Sequence, residues 1–165
     1  MSQSVVLQSL SAQTLTAEGF APFGQVIWPD LDGASFGPRD AQLQLQNGIP
    51  RFYIMQLENR GLRFHRITRH QQCTQCLGAL EGKEWVIAVA PPGASNSPDP
   101  SGIQAFRIPG NCFIKLEVGT WHAGPYFEAD KVNFYNLELS DTNLTDHETC
   151  DLAQAFGLEF EIRVS

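Results

Sequence analysis

A chain of 165 residues, 42% hydrophobic and 18% charged, is long enough for one domain with a real core and too apolar to stay disordered. Its net charge of −7, with 11 Lys and Arg against 18 Asp and Glu, argues against a nucleic-acid partner, because phosphate binding needs a basic patch. A small anionic ligand stays open, since the local field and not the net charge governs it.

No apolar run approaches the ~20 residues needed to span a bilayer, so no membrane partner is expected. The opening MSQSVVLQSLSAQTL lacks a basic segment followed by a long apolar block, so no signal peptide is expected. The expected compartment is the cytoplasm, with Cys73, Cys76, Cys112 and Cys150 as reduced thiols.

In chain order, the first element is a short helix in LTAEGFAPFG, capped by Thr16 and ended by Gly19 and Pro22. GASFGPRDAQ reads as loop. Strand then follows strand: RFYIMQL, RFHRITRH, CLGAL, EWVIAVAP, IQAFRI, CFIKLEV, WHAGPYF, KVNFYNLEL and LEFEIRV, all rich in aromatic or β-branched residues. NG, RG, EG, PPG, PG and GT separate them, and these are turn signals. PPGASNSPDPSG, residues 91–102, reads as an exposed loop between two strands. DHETCDLAQAFG predicts a second short helix, capped by Asp146 or Thr149 and stopped at Gly157. The expectation is an all-β single domain over residues 1–165, a sandwich or barrel with one or two short helices.

CTQC at Cys73–Cys76 has half of a zinc-site spacing, but Cys112 and Cys150 supply no second pair. A redox pair would open a helix after a strand, and strand and turn follow here. Small buried residues in a sheet are the preferred reading.

Alternation sorts the strand side chains by face. It places Phe134, Asn136 and Glu138 together, and His122 with Tyr126, opposite Trp121. Thr68 shares parity with His70 and opposes His65.

Two stretches carry the chemistry. RHQQCTQCLGALEG spaces His70, Gln75 and Gly82, and PGNCFIKLEVGTWHAGPY sets Gly119 three residues before His122. This pair resembles the two motifs of the cupin superfamily, small antiparallel β-barrels of the double-stranded β-helix or jelly-roll type. In that pattern His70, Gln75 and His122 come from neighbouring strands and aim at one point inside the barrel. LTAEGFAPFGQVI, LGALEGKEWVIAVAPP, RITRHQQCTQ and GTWHAGPYF narrow the resemblance to the ureidoglycolate lyase family over about Leu15 to Leu139.

That resemblance implies cleavage of ureidoglycolate to glyoxylate and urea in allantoin breakdown, by a cytoplasmic homodimer. It implies His70 and His122 as catalytic base and acid, with Glu138 as a further proton donor. Gln75, Lys115 and Tyr126 are the expected contacts for a small carboxylate substrate, Lys115 as its cation. Trp121 is expected to pack behind His122 and orient it. Two departures stand out: Thr68 occupies the place of the first motif's initial ligand, and Tyr126 that of the second motif's asparagine. His70, Gln75 and His122 are also the candidate ligands if Ni²⁺ or Zn²⁺ is bound, a set without an anionic donor. Two alternatives remain: a catalytically divergent cupin that binds a small anion, and a metal-dependent cupin dioxygenase or isomerase.

Overall fold

The computed structural model describes residues 3–165, built from thirteen strands and three short helices. In chain order these are β1 (Val6–Thr14), α1 (Ala17–Phe20), β2 (Gly24–Ile27), β3 (Pro50–Glu58), β4 (Arg63–Phe64), β5 (Arg66–Arg69), β6 (Gln75–Ala79) and β7 (Trp85–Ala90). Then come β8 (Gln104–Ile108), β9 (Phe113–Leu116), β10 (Trp121–Tyr126), β11 (Lys131–Leu139), α2 (Thr142–Thr145), β12 (Glu148–Asp151), α3 (Leu152–Phe156) and β13 (Leu158–Arg163). The all-β expectation holds. Strands also form at β1, β2 and β12, whose segments carry no strand signal of their own. RFHRITRH divides at His65 into β4 and β5.

Two sheets face each other, one of five strands (β2-β9-β6-β11-β3) and one of eight (β12-β5-β10-β7-β8-β1-β13-β4). Most pairings are antiparallel, but β1 lies parallel to both β13 and β8. The N-terminal strand is thus inserted between segments that follow it far along the chain.

The core sits between the sheets. β7 shows why both its faces are apolar: Trp85, Ile87 and Val89 point into the inter-sheet core with Phe106, Ile114 and Phe134. Val86, Ala88 and Ala90 point the other way, into a second cluster with Trp121, Leu152, Phe160 and Ile162. A strand covered on both sides reads as a continuous apolar run, and WVIAVA is buried throughout.

Thr16 caps α1 as expected, its side chain accepting from Gly19 N at 3.0 Å. The C-terminal helix does stop at Gly157, which adopts φ 66°. Its cap is Asp151, whose side chain accepts from Ala153 N and Gln154 N, not Asp146 or Thr149. The reason is that residues 148–151 are claimed by sheet pairing with β5, and this delays the helix by several residues.

Phe134 is fully buried and meets Trp85 edge-on at 5.2 Å between centroids. Phe134→Ala is expected to lower unfolding free energy by about 3–5 kcal/mol, measured by urea denaturation.

Candidate active site

The inner faces of three strands change character along their length. On β11 the inward residues run Val132, Phe134, Asn136, Glu138, and the first two join the apolar core. On β6 Leu77 and Ala79 join that core while Gln75, of the same parity, does not. On β3, Tyr53 stands opposite Asn136, with Met55 and Leu57 opposite Phe134 and Val132. One end of the inter-sheet space is therefore filled with hydrocarbon, and the other holds a cavity of about 180 Å³ lined by polar groups.

His70, Gln75, His122 and Glu138 all line this cavity. His70 follows β5 directly and His122 lies on the neighbouring β10, paired with Thr68. Their ring centroids are 5.0 Å apart. Local chemistry fixes both rings. Gly119, at φ 84°, turns its N–H onto His70 O at 2.7 Å, tying the start of β10 to the end of β5. A residue with a Cβ is strained at that φ, which accounts for the glycine three residues before the histidine. Asp146 fixes the RHQQ turn: its carboxylate accepts from Gln71 N and Gln72 N, both at 2.8 Å. Its carbonyl lies 2.6 Å from His70 Nδ1. A carbonyl only accepts, so Nδ1 carries the proton and Nε2 keeps its lone pair. The Thr120 carbonyl stands 3.4 Å from His122 Nδ1 and favours the same tautomer.

Burial shifts these groups toward their neutral forms. Desolvation pushes His122 down to about 3, with the His70 charge adding to it. Desolvation also lowers His70, opposed by its hydrogen bond to the Asp146 carbonyl and by the Asp146 charge. Glu138 is raised, chiefly by burial. Its oxygens belong to a ladder in which Gln75 Nε2 reaches Asn136 Oδ1 at 3.0 Å and Glu138 Oε2 at 3.3 Å. Tyr53 Oη lies 3.4 Å from Glu138 Oε1 and accepts from Asn136 Nδ2 at 3.2 Å. With its nitrogen so used, Gln75 Oε1 is buried and has no partner among the described residues.

The remaining expected residues lie elsewhere. Lys115 is paired across the sheet with Cys76, whereas Gln75 is paired with Leu116, so Lys115 points to the opposite face. There it is buried beside Glu117, its ion-pair partner, under the loop carrying Gln42 to Gln44. It is not a cation of this cavity. Tyr126 also leaves the face of His122. β10 carries a bulge: Ala123 pairs with Ala88 and Tyr126 with Val86, three steps against two. The extra residue reverses the parity, and Tyr126 joins the second cluster beside Phe64. Trp121 packs on that same far face, under the Arg69 guanidinium at 4.5 Å, and not behind the His122 ring. His65 is turned out to Asp151.

The sequence reading missed His147, whose ring lies 5.7 Å from that of His70, together with Arg60, Tyr53 and Asn136 on the cavity wall. Asn136 and Tyr53 were within reach of the parity argument. His147 and Arg60 lie outside regular strands, where no periodicity marks them.

Among the described residues no three His, Cys, Asp or Glu side chains converge on a metal position. Two imidazoles with Nδ1 engaged on carbonyls, plus the unpaired Gln75 Oε1, nevertheless fit a divalent ion through neutral donors. Such a set holds Ni²⁺ or Zn²⁺ weakly, for want of charge.

A family model described as ureidoglycolate lyase matches residues 38–159. A ureidoglycolate lyase of Azotobacter vinelandii is 27% identical over 128 residues, covering 70% of this chain and 76% of that protein. A ureidoglycolate lyase of Stutzerimonas stutzeri is 26% identical over 136 residues, covering 70% and 74%. Among solved structures, oxalate decarboxylase from Bacillus subtilis aligns with a TM-score of 0.40 at 11% identity, over 74% of this chain. The chain spans about a third of that protein's length, 36%.

Histidines held neutral make stability depend on pH. Their folded pKa values lie below the unfolded 6.5, so below pH 6.5 the unfolded chain binds more protons. The stability they leave intact above pH 6.5 is lost as pH falls, for His122 down toward about 3. The unfolding free energy, read from urea denaturation, is expected to drop between pH 7 and pH 5 by up to about 1.4 kcal/mol per pH unit for each histidine, and His122→Asn is expected to flatten that slope.

Proposed function

We propose, on the premise that this chain belongs to the ureidoglycolate lyase family, that the cavity shared by His70 and His122 cleaves ureidoglycolate to glyoxylate and urea, as in allantoin breakdown. The observation that carries the site assignment is that the two imidazoles meet at 5.0 Å in one cavity with a buried carboxyl on its wall.

The reaction is an elimination at a carbon bearing a hydroxyl and a ureido group. The hydroxyl loses its proton, its oxygen lone pair forms the C=O bond, the C–N bond breaks, and the departing nitrogen takes up a proton. His70 is the base. Its Nε2 is unprotonated at neutral pH, and the Asp146 carbonyl and charge leave it more basic than His122. Glu138 is the acid, because burial holds its proton to higher pH than an ordinary carboxyl. His122, at about 3, stays neutral and accepts a hydrogen bond that orients the substrate. Gln75 Oε1, the unpaired acceptor, receives a ureido N–H. After release, His70 gives its proton to solvent in the open cavity and Glu138 is reprotonated from it, so the cycle closes.

A divalent ion on His70, His122 and Gln75 would act as a Lewis acid, lowering the hydroxyl pKa. One Nε2 lone pair serves either as ligand or as base. Glyoxylate release that persists after exhaustive chelation supports His70 as base; its loss, with recovery on adding Ni²⁺ or Zn²⁺, favours the ligand role.

The assembly we propose is a homodimer, supported by an apolar strip on the outer face of the edge strand β3. Phe52 and Ile54 are 70% and 62% exposed there, and Phe52 contacts Tyr135, itself against Phe113. The cytoplasm is the proposed compartment, in keeping with four free cysteines and with no described helix long and apolar enough to cross a membrane.

His70→Ala and Glu138→Gln are each expected to cut glyoxylate release about 10²–10⁴-fold, with thermal midpoints within a few degrees of the parent. Full activity in His70→Ala, read by glyoxylate assay, defeats the assignment. Sedimentation of Phe52→Glu as a monomer beside a dimeric parent supports the interface.

A further inference from the structure

With Lys115 removed to the far side of the sheet, a carboxylate entering the cavity still requires a cation. Of the described Arg and Lys residues, Arg60 is the one on the cavity wall. We infer that Arg60 anchors the substrate carboxylate and thereby selects α-carboxylated carbinol ureas over uncharged ones. This inference rests on the lyase reading.

Three observations support it. First, Arg60 has no carboxylate partner among the described residues, whereas Arg69, Arg107 and Lys115 are each committed to a glutamate. Its guanidinium is occupied only by Pro125 O, at 3.4 Å from Nη2, and by the Tyr126 ring, 5.2 Å from Cζ. Five donors in a planar fork therefore leave most of their capacity for an incoming anion.

Second, the backbone that carries it is fixed before any ligand arrives. Asn59 Nδ2 lies within 3.0–3.2 Å of the carbonyls of Phe127, Glu128 and Ala129. Its Oδ1 accepts from Gly61 N at 2.8 Å, and its own N–H donates to Asp130 O at 2.9 Å. Arg60 thus stands between two clamped residues, tied to the loop after β10. A cation held this way loses less freedom on binding.

Third, the bulge of β10 aims it. By sending Tyr126 to the far face, the bulge leaves Gly124 and Pro125 on the cavity wall and offers Pro125 O and the Tyr126 ring as a seat for the guanidinium.

The test compares ureidoglycolate with N-(hydroxymethyl)urea, which has the same carbinol and ureido groups, no carboxylate, and releases formaldehyde. Arg60→Gln is expected to lower kcat/KM for ureidoglycolate about 100-fold, mostly through KM, and to leave hydroxymethylurea turnover within about twofold of the parent. Arg60→Lys should recover part of the loss. Equal losses on both substrates indicate a structural role and overturn the inference, as does an unchanged KM for ureidoglycolate. Calorimetric titration with glyoxylate separates this from the lyase reading itself. A parent that releases no glyoxylate from ureidoglycolate defeats the reading. In that case the anchor stands if glyoxylate binds the parent and not Arg60→Gln, and falls if both bind alike or neither binds.

Discussion

Arg69 is the fastener on which the site depends. Its guanidinium makes two bonds to Glu148, at 2.9 and 3.0 Å, donates to Gly93 O, and covers the Trp121 ring. Only 3% of it is exposed, whereas Glu148 keeps 36% of its side chain accessible. A buried cation with its donors largely satisfied thus meets a carboxylate that stays in contact with solvent, a setting in which a buried charge is tolerated. Arg69 adjoins His70 and Trp121 adjoins His122. Alternation along a strand turns the contact between the first pair into a fixed spacing between the second, on the opposite face. The two cavity histidines are held from the far face of their strands.

The cavity itself arises from a polarity gradient along strands shared with the core. Hydrocarbon at one end of β6 and β11 supplies stability through burial, and the amide and carboxyl groups at the other end line the cavity. Because the same strands carry both, the polar groups are held at short distances and largely buried, where solvent screens them less. That setting lowers the histidines toward the neutral imidazole and raises Glu138 above an ordinary carboxyl. The bulge in β10 adds the remaining asymmetry, removing a tyrosine from the wall and substituting an arginine from another segment.

Local pattern made much of this legible. Alternation in KVNFYNLEL put Asn136 and Glu138 on one face, and the spacing of His70, Gln75, Gly119 and His122 marked the two stretches that meet. Turn residues delimited nine segments, which fold as ten of the strands. β1, β2 and β12 escaped notice because their segments are polar or short and gain order only from pairing with partners distant in sequence. The cap at Asp151 was misassigned to Asp146 or Thr149 for the same reason: tertiary pairing took priority over a local capping preference.

The sequence by itself marked the fold class and the face of Glu138, which follow from strand periodicity, and marked His70, Gln75 and His122 through their resemblance to the two cupin motifs along continuous stretches. Tertiary structure alone decided the cation and the third histidine. Lys115 has the charge but the wrong parity relative to Gln75 across the sheet, and Arg60 and His147 reach the cavity from segments outside the regular strands. Parity is fixed within a strand; which strand faces which, and where a bulge inverts the count, is settled only when the sheets close.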